Sequence, residues 1–359
     1  MLLEKSLWHA LIKRPAIIFL FIPLLMHAPA FAEMPGGVSG GYLRNPVGAK
    51  SASLGGAFSA SPDYLAAWWN PAALPAMHNK ALMLGGAYRS FGRTDALISY
   101  KFPIPPRVSM EVSALYRGDP FLDDLRDKEG EKLEEAKFST ISIKIGVGYL
   151  LRRNLTLGAA IGIYYQRLPD YYDERTLDME YSSATAIGGL DVGLRYAFRP
   201  HLSFGAILKN INAKFNWQFN SGDGLEETFE ESFPVTFVLG SQYTGSLLGY
   251  PLVWNSDLNI HPFENGFELA SHPTVVWDNG AEWQRWEAFF IRLGLGDIAV
   301  SSALYRQSDL YWDTFSPAIT AGFFLDLSAH LKNTSLNYAI TTDKVWAGVE
   351  QQLDFVVSF

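Results

Sequence analysis

The 359-residue chain has no cysteine, and charged residues make up only 18% of it. The absence of cysteine excludes a disulfide framework and any thiolate metal or catalytic site. No stretch after residue 32 is apolar enough for a membrane-spanning helix, which needs roughly 20 apolar residues. Aromatic residues reach 14%, whereas soluble domains carry roughly 25% charged residues. Few charges, many aromatic residues and no hydrophobic helix together favour a transmembrane β-barrel with aromatic girdles.

Residues 1–32 have the form of a secretory signal peptide. Lys13 and Arg14 precede an apolar run over residues 16–26, and Ala30-Phe31-Ala32 matches a small-x-small cleavage site. The apolar run is far shorter than the roughly 20 residues of a membrane span. We therefore predict a mature start near Glu33, which changes the net charge from −8 to −10. This acidic balance argues against a nucleic-acid partner.

Apolar and polar residues alternate along many segments of the chain. In one of them Ile141, Ile143 and Ile145 alternate with Ser142 and Lys144. Period two over eight to ten residues is typical of transmembrane barrel strands. A soluble β-sandwich or propeller also alternates, but here Lys, Arg, Asp and Glu occur in mid-strand on the polar face. We predict an all-β membrane protein, a 14-stranded antiparallel transmembrane β-barrel.

The predicted barrel occupies residues 80–359. Its fourteen strands are predicted near 80–90, 95–103, 107–117, 137–150, 153–167, 181–198, 201–211, 232–245, 250–261, 274–284, 287–296, 315–327, 333–341 and 345–359. Residues 274–296 could instead form one bent strand. All connections after even-numbered strands are short, and most after odd-numbered strands are long, including 118–136, 212–231 and 262–273. Outer-membrane barrels have short periplasmic turns and long external loops, so we expect both mature termini in the periplasm.

Acidic residues concentrate in two predicted external loops, 118–136 and 212–231. One interpretation is that divalent cations bridge these carboxylates to lipopolysaccharide phosphates. The other is that they are solvated polar loops. The expected surroundings are in either case outer-membrane lipid and lipopolysaccharide.

The last strand ends on an aromatic residue, Phe359. Its alternation resembles the signal by which the barrel-assembly machinery of Gram-negative bacteria recognises its clients. That resemblance implies the bacterial cell outer membrane as the location and assigns the signal to Phe355, Val357 and Phe359. If this strand closes on the first one, Phe355 and Phe359 face lipid. Its polar face then points into the lumen: Glu350, Gln352 and Asp354.

Residues 33–79 do not alternate and are rich in Gly and Ala. This segment either hangs in the periplasm or fills the lumen as a plug, because a fourteen-strand barrel is too wide for its own side chains to fill. We predict a plug, with a short helix over 64–74 stopped around Pro71. Pro71 fixes its own φ and biases Asn70 toward extended geometry, and the Asn70 side chain can bond nearby backbone. The resulting bend either seats the plug on the wall or is an ordinary helix stop.

Two stretches of this segment, GAKSASLGGAF at 48–58 and WWNPAAL at 68–74, carry a family resemblance. They resemble the N-terminal pattern of PorV/PorQ-type outer-membrane proteins, in the wider group that includes FadL-type long-chain fatty-acid transporters. Ala73 replaces the usual Gly, and residues 61–64 replace a common acidic-pair segment. The resemblance implies a plug motif at Gly55, Gly56, Asn70, Pro71 and Ala72.

The sequence offers little support for an enzyme, a cofactor or a metal. The five His after residue 32 are scattered without metal-ligand spacing, and no G-x-S-x-G occurs. Gly294 to Ala299 matches a loose G-x-G-x-x-A, but no helix or βαβ unit follows it. The acidic loop fails the calcium-loop pattern at its third and sixth positions.

Two functions are favoured. The first is a FadL-like channel for passive uptake of hydrophobic small molecules. Its candidate ligand contacts are four residues on otherwise polar strand faces, which could also simply pack on the plug: Tyr164, Val238, Val253 and Phe290. The second is a PorV-like accessory barrel of a type IX protein secretion system, binding cargo or partner proteins through exposed apolar loop residues: Phe121, Leu122, Tyr171 and Tyr172. A general porin is a third option, against which the plug argues.

Overall fold

One antiparallel β-sheet closes on itself in this protein. The structure is a computed structural model that describes residues 40–119, 138–168, 171–173, 178–220, 226–300, 317–342 and 348–359. The strands are β1 (Ala81–Tyr88), β2 (Thr94–Ile104), β3 (Val108–Asp119), β4 (Phe138–Arg152), β5 (Leu155–Arg167), β6 (Tyr171–Asp173), β7 (Asp178–Arg199), β8 (Leu202–Ile211), β9 (Lys214–Asn220), β10 (Glu226–Ser232), β11 (Thr236–Leu247), β12 (Tyr250–Asn265), β13 (Glu268–Trp286), β14 (Phe289–Ala299), β15 (Ala318–Asp326), β16 (Thr334–Thr342) and β17 (Val349–Ser358).

Fourteen strands form the wall, which confirms the predicted number. The order is β1–β2–β3–β4–β5–β7–β8–β11–β12–β13–β14–β15–β16–β17, and β17 pairs with β1 from Ala81↔Ser358 to Tyr88↔Gln351. Residues 274–296 belong to two strands, β13 and β14, as the first interpretation had it. Since closure pairs every wall strand on both sides, no strand edge of the wall is left for lipid to solvate.

Three further strands belong to connections that we predicted as loops. β6 pairs with the start of β7, and β9 and β10 form a hairpin that also pairs with β7, between residues 181–185 and 216–220. Alternation of Phe215, Trp217 and Phe219 with polar neighbours was the signal for this hairpin. We missed it because loop parity favoured one long connection there.

The two ends of the barrel differ in their connections. One end carries the turns at 105–107, 153–154, 200–201, 248–249, 287–288 and 327–333, and we call it the short-turn end. The other end, where β3 ends and β4 begins, also carries β9 and β10, and we call it the long-loop end. The predicted long connection 262–273 was wrong: β12 and β13 continue as a paired hairpin joined by residues 266–267. Bulges at His261/Phe263 and Phe263/Asn265 interrupt that pairing, which blurs the period of two in the sequence.

The wall has its polar side inside and its apolar side outside. Outward residues such as Leu84, Leu293 and Phe355 are 50%, 61% and 43% exposed. Charged inward residues such as Lys144 and Arg292 are only 4% and 1% exposed. A lipid-facing surface with a polar interior requires this inversion of the soluble-protein pattern.

Residues 40–80, which we call the N-terminal segment, contain four short helices. They are the 3-10 helix Gly41–Arg44, α1 (Ala49–Ser53), α2 (Ala66–Trp69) and the 3-10 helix Pro71–Ala76. The single helix predicted over 64–74 is therefore split. Asn70 is extended, with φ −157° and ψ 105°. Pro71 is the first residue of the second 3-10 helix, so the chain turns again directly after the break. Within the described residues, no helix has the length and apolar character to cross a bilayer.

The closing strand has the predicted register. Gln352 and Asp354 are buried inside, whereas Phe355 points outward. Phe359 lies at the short-turn end, where its N–H bonds to the carbonyl of Lys80 at 2.9 Å. Gly40, the first described residue, instead lies against Phe233 near the start of β11, at the long-loop end. The predicted mature start near Glu33 lies outside the described residues.

Candidate functional site

The bend at Asn70-Pro71-Ala72 is fixed against the barrel wall. The Asn70 Oδ1 atom accepts the Ala72 N–H at 3.0 Å. Its Nδ2 donates to the carbonyls of Ser59 at 2.8 Å and of Leu194, on β7, at 3.1 Å. A Cβ at Gly158 would overlap the backbone at Pro71 and Ala72. The bend can lie directly on the wall because the wall residue opposite it, Gly158, has no side chain.

Three buried carboxylates on distant strands receive backbone N–H groups of the N-terminal segment. Glu111 on β3 accepts from Ala67 at 2.8 Å. Asp257 on β12 accepts from Phe58 and Ser59 at 2.8 and 2.7 Å. Asp354 on β17 accepts from Ala49. Ala49 and Ala67 lie in first helical turns, where N–H groups lack intrahelical partners, so these wall carboxylates act as caps. The segment consequently spans the interior from β3 to β12.

Buried and partly buried wall cations bind backbone carbonyls of the same segment. Lys101 donates to Asn79 at 2.9 Å and also to Met77, and Arg195 donates to Ala60 at 2.8 Å. Lys209 donates to the Trp68 carbonyl at 3.0 Å and lies 5.3 Å from the ring centre of Trp69. Burying a polar group is costly unless it is hydrogen-bonded. The polar side chains of the lumen therefore supply hydrogen-bond partners for the backbone of this segment.

An ion-pair cluster holds the segment at the long-loop end. Arg89 lies 2.8 Å from Asp95 and 2.5 Å from Glu350, and Arg117 lies 3.1 Å from Asp95. Arg89 also donates to the carbonyl of Pro46 at 3.3 Å. All four charged side chains are largely buried, so the cluster joins β2, β3 and β17 to residues 42–46.

The long-loop cavity is a small space of about 80 Å³. Trp68, Trp69, Lys144 and Lys209 line it together with His261. Arg44, which also lines the cavity, and Tyr42, two residues earlier in the N-terminal segment, have shifted pKa values. Burial lowers the pKa of Arg44 below its ordinary value, although nearby Asp297 opposes the shift, and burial raises the pKa of Tyr42. The lining combines flat aromatic faces with cations.

The short-turn cavity is much larger, about 560 Å³. That lies within the roughly 300–1,000 Å³ of small-molecule sites. Phe290 and Phe324 stack inside it, with ring centres 4.7 Å apart and planes at 23°. Arg292 donates to Glu282 at 2.6 Å and to the Asn337 Oδ1 atom at 2.8 Å. The cavity thus has an apolar aromatic surface beside neutralised charges.

The four predicted ligand contacts have different surroundings. Phe290 lines the short-turn cavity and Val238 the long-loop cavity. Val253 shares the inward face of β12 with Asn255 and Asp257 but lines neither of these two cavities. Tyr164 is 1% exposed and packs 5.4 Å from the Phe233 ring in an aromatic cluster under the β9–β10 hairpin. The structure brings none of the four together.

Several other predictions meet the structure only in part. Gly55 and Gly56 both adopt positive φ, 68° and 88°. Phe359, expected to face lipid, is 66% exposed and also lines the short-turn cavity. It does so because it lies beyond Ser358, the last paired residue of β17. Phe121 and Leu122 lie outside the described residues.

The sequence predicts that charged side chains lie on the inward face of the wall, but it does not predict their partners. Lys144 and Asp191 form an ion pair with 5% and 1% of their side chains exposed. A charged residue in mid-strand was the available signal, but the sequence does not show which segment of the chain it meets. No cluster of potential metal ligands occurs among the residues that the structure describes.

Comparison with known proteins shows the fold. No protein-family profile matches the chain, and no curated protein matches it. Among solved structures it is similar to the toluene transporter TbuX of Ralstonia pickettii, with 13% identity, a TM-score of 0.55 and coverage of 88% of this chain and 98% of that one. A FadL homologue of Pseudomonas aeruginosa gives 12%, 0.57, 88% and 99%. The toluene transporter TodX of Pseudomonas putida gives 14%, 0.54, 88% and 97%. The chain has the fold of these barrels over nearly their whole length.

Proposed function

We propose that this barrel is an outer-membrane channel for passive uptake of hydrophobic small molecules. The observation that carries the proposal is the 560 Å³ cavity with its stacked Phe290–Phe324 pair, inside a closed fourteen-strand wall. Such a cavity offers an apolar surface that water solvates poorly. Structurally similar barrels include a toluene transporter and a monoaromatic hydrocarbon channel, which supports the same class of ligand.

The proposal includes an orientation and a plug. The long-loop end faces the exterior and the short turns face the periplasm, as in other outer-membrane barrels. The N-terminal segment closes the lumen between the two ends, held by Glu111, Asp257 and Asp354. Ligand enters from the long-loop end and leaves through the short-turn cavity. Outer-membrane lipid surrounds the wall, and the barrel-assembly machinery inserts it.

Binding of labelled toluene and of a labelled fatty acid to the purified barrel, measured by equilibrium dialysis, tests the proposal. The double variant Phe290→Ala/Phe324→Ala removes the stacked inward pair. We expect its affinity to fall about tenfold, since 1.4 kcal/mol corresponds to a factor of ten and an aromatic contact is worth about 0.5–1.5 kcal/mol beyond burial.

The same two strands provide a matched control. Phe289 and Phe323 stack on the outward face, with ring centres 5.7 Å apart, and Phe289→Ala/Phe323→Ala should leave binding unchanged. A wild-type barrel that binds neither ligand would refute the proposal. Equal losses in both double variants would assign the bound ligand to the outer surface instead.

The secretion-system alternative remains a prediction. Phe121 and Leu122 lie outside the described residues, and so do the side chains of Tyr171 and Tyr172. Capture of a secreted cargo protein by the purified barrel, together with failure to bind either ligand, would favour it.

A further inference from the structure

The two cavities lie along the same pair of strands. On β13, Val276 and Asp278 line the long-loop cavity and Glu282 lines the short-turn cavity. At about 3.4 Å per residue, Asp278 and Glu282 are only about 14 Å apart. The inward position between them is Gly280.

β14 repeats this arrangement. Asp297 lines the long-loop cavity, and Phe290 and Arg292 line the short-turn cavity. Gly294 and Gly296 lie between them. We call the three wall glycines Gly280, Gly294 and Gly296 the glycine patch. The loose G-x-G-x-x-A match in the sequence therefore marks a packing surface.

One turn of the N-terminal segment covers the glycine patch. It consists of Leu54, Gly55 and Gly56, directly after α1, and we call it the 54–56 turn. A Cβ on Gly280 would lie 2.6 Å from the Leu54 Cα atom, and Cβ atoms on Gly294 and Gly296 would overlap the backbone of Gly55. Backbone therefore lies directly on backbone, at the position that separates the two cavities.

The backbone N–H groups of the 54–56 turn bond within their own segment. The hydrogen bonds that the described residues make to it come from within the segment, among Ser51, Ala52 and Ala57, at 3.0–3.3 Å. Thr320 reaches only the preceding carbonyl, of Ser53, at 3.0 Å. The following residues Phe58 and Ser59, in contrast, are bound by Asp257.

We infer that the 54–56 turn is the constriction of the permeation path, and that solutes pass between this turn and the glycine patch. The inference rests on the proposed function for its cargo, but the barrier itself acts on any solute. Gly55 and Gly56 both occupy the left-handed region, which glycine reaches without a Cβ clash. They permit the turn to lift from the wall while Asp257 and Asp354 hold the chain on either side.

Ion conductance in planar bilayers tests the location of the barrier without any hydrophobic ligand. Gly294→Ala places a methyl group under the 54–56 turn and should raise the conductance several-fold over the wild type. Gly280→Ala and Gly296→Ala should act in the same way, so one variant that fails to fold does not end the test. Folding is checked by heat-modifiable migration on gels.

Gly158→Ala is the matched control. Its methyl group would press equally on the N-terminal segment, but at Pro71–Ala72 on the β5 side, away from the two cavities. We expect its conductance to stay at the wild-type level. Equal increases in Gly158→Ala and the patch variants would mean that any displacement of the segment leaks, and no increase in the patch variants would place the barrier elsewhere. Either result overturns the inference.

A reversible lock tests whether cargo uses this path. A Cβ on Gly56 would lie 3.7 Å from the Asp278 Cγ atom, and the chain has no cysteine, so Gly56→Cys/Asp278→Cys can form a single disulfide. Uptake of labelled toluene by the double variant should be lower when it is oxidised than when it is reduced. Gly56→Cys alone carries the same side chain at positive φ, and its uptake should not depend on the redox state. Unchanged uptake in the oxidised barrel overturns the inference. If wild-type barrel takes up no hydrophobic compound, the proposed function fails, while the conductance comparison still decides where the barrier lies.

Discussion

The inward and outward faces of the same strands obey opposite rules. On β14, Arg292 is 1% exposed inside the barrel and its neighbour Leu293 is 61% exposed outside it. The outward face is apolar because hydrocarbon cannot satisfy polar groups. The inward face is charged because the N-terminal segment presents backbone N–H and carbonyl groups that need partners. The lumen of this barrel is thus a polar core in which charged side chains hydrogen-bond the N-terminal segment.

The largest expected effect comes from unpairing an inward charge. Asp191→Ala leaves Lys144 buried without its carboxylate, and we expect the free energy of unfolding to fall by about 3–5 kcal/mol. Urea unfolding in micelles measures it. The control is Glu230→Ala, since Glu230 and Lys214 form a pair that is 64% and 46% exposed. Exposed pairs contribute about 0–1 kcal/mol. Similar losses in both variants would contradict the contrast between buried and exposed charge.

A charge placed on the outward face should have the next largest effect. Leu293→Lys introduces an ammonium group in the middle of β14, and charged residues at the bilayer midplane cost about 2–4 kcal/mol in barrels. Val349→Lys is the control, because Val349 is outward but begins β17 at the long-loop rim. There the cost should be about 0–1 kcal/mol. Unfolding in lipid vesicles compares the two variants, and equal costs would show that the outward face does not meet a depth-dependent apolar phase.

The smallest effect is expected at the contact between the N-terminal segment and the wall. Asn70→Ala removes the bonds to Ser59, Leu194 and Ala72, and leaving these buried groups unpaired should cost about 1–3 kcal/mol. Asn79→Ala, at the exposed end of the same segment, should cost less. Amide hydrogen exchange of residues 58–74 measures the difference. Unchanged protection in Asn70→Ala would mean that the bend is held by packing alone.

Much of the wall was predictable from the sequence. A strand face that is buried in lipid must be apolar at every second position, so alternation located all fourteen wall strands. The strand ends lie within about four residues of the predicted ones, except that β13 begins at Glu268 instead of 274. The prediction failed where a strand leaves the wall. The β12–β13 hairpin and the β9–β10 hairpin extend beyond it, and there no lipid enforces the period.

The candidate site was less predictable. Asn70, Gly55 and Gly56 were identified through a resemblance. In the structure Asn70 contacts Leu194, Gly55 contacts the glycine patch and Gly56 lies beside Asp278. Phe290 was identified from its place on a polar face, but its stacking partner Phe324 was not. Alternation shows which side of a strand a residue occupies, and it contains no information on which other strand or segment faces it across the lumen.

The sequence by itself determined the number of wall strands, the inward and outward faces of each, and the inward register of Asp354 on the closing strand. These properties follow from a local period of two that every strand must satisfy separately. Only the tertiary structure decided that Asp354, Asp257 and Glu111 meet one segment, and that Leu54–Gly56 lies on three wall glycines between two cavities. Those contacts join residues up to about 300 positions apart, and closure of the barrel is what brings them within hydrogen-bond distance.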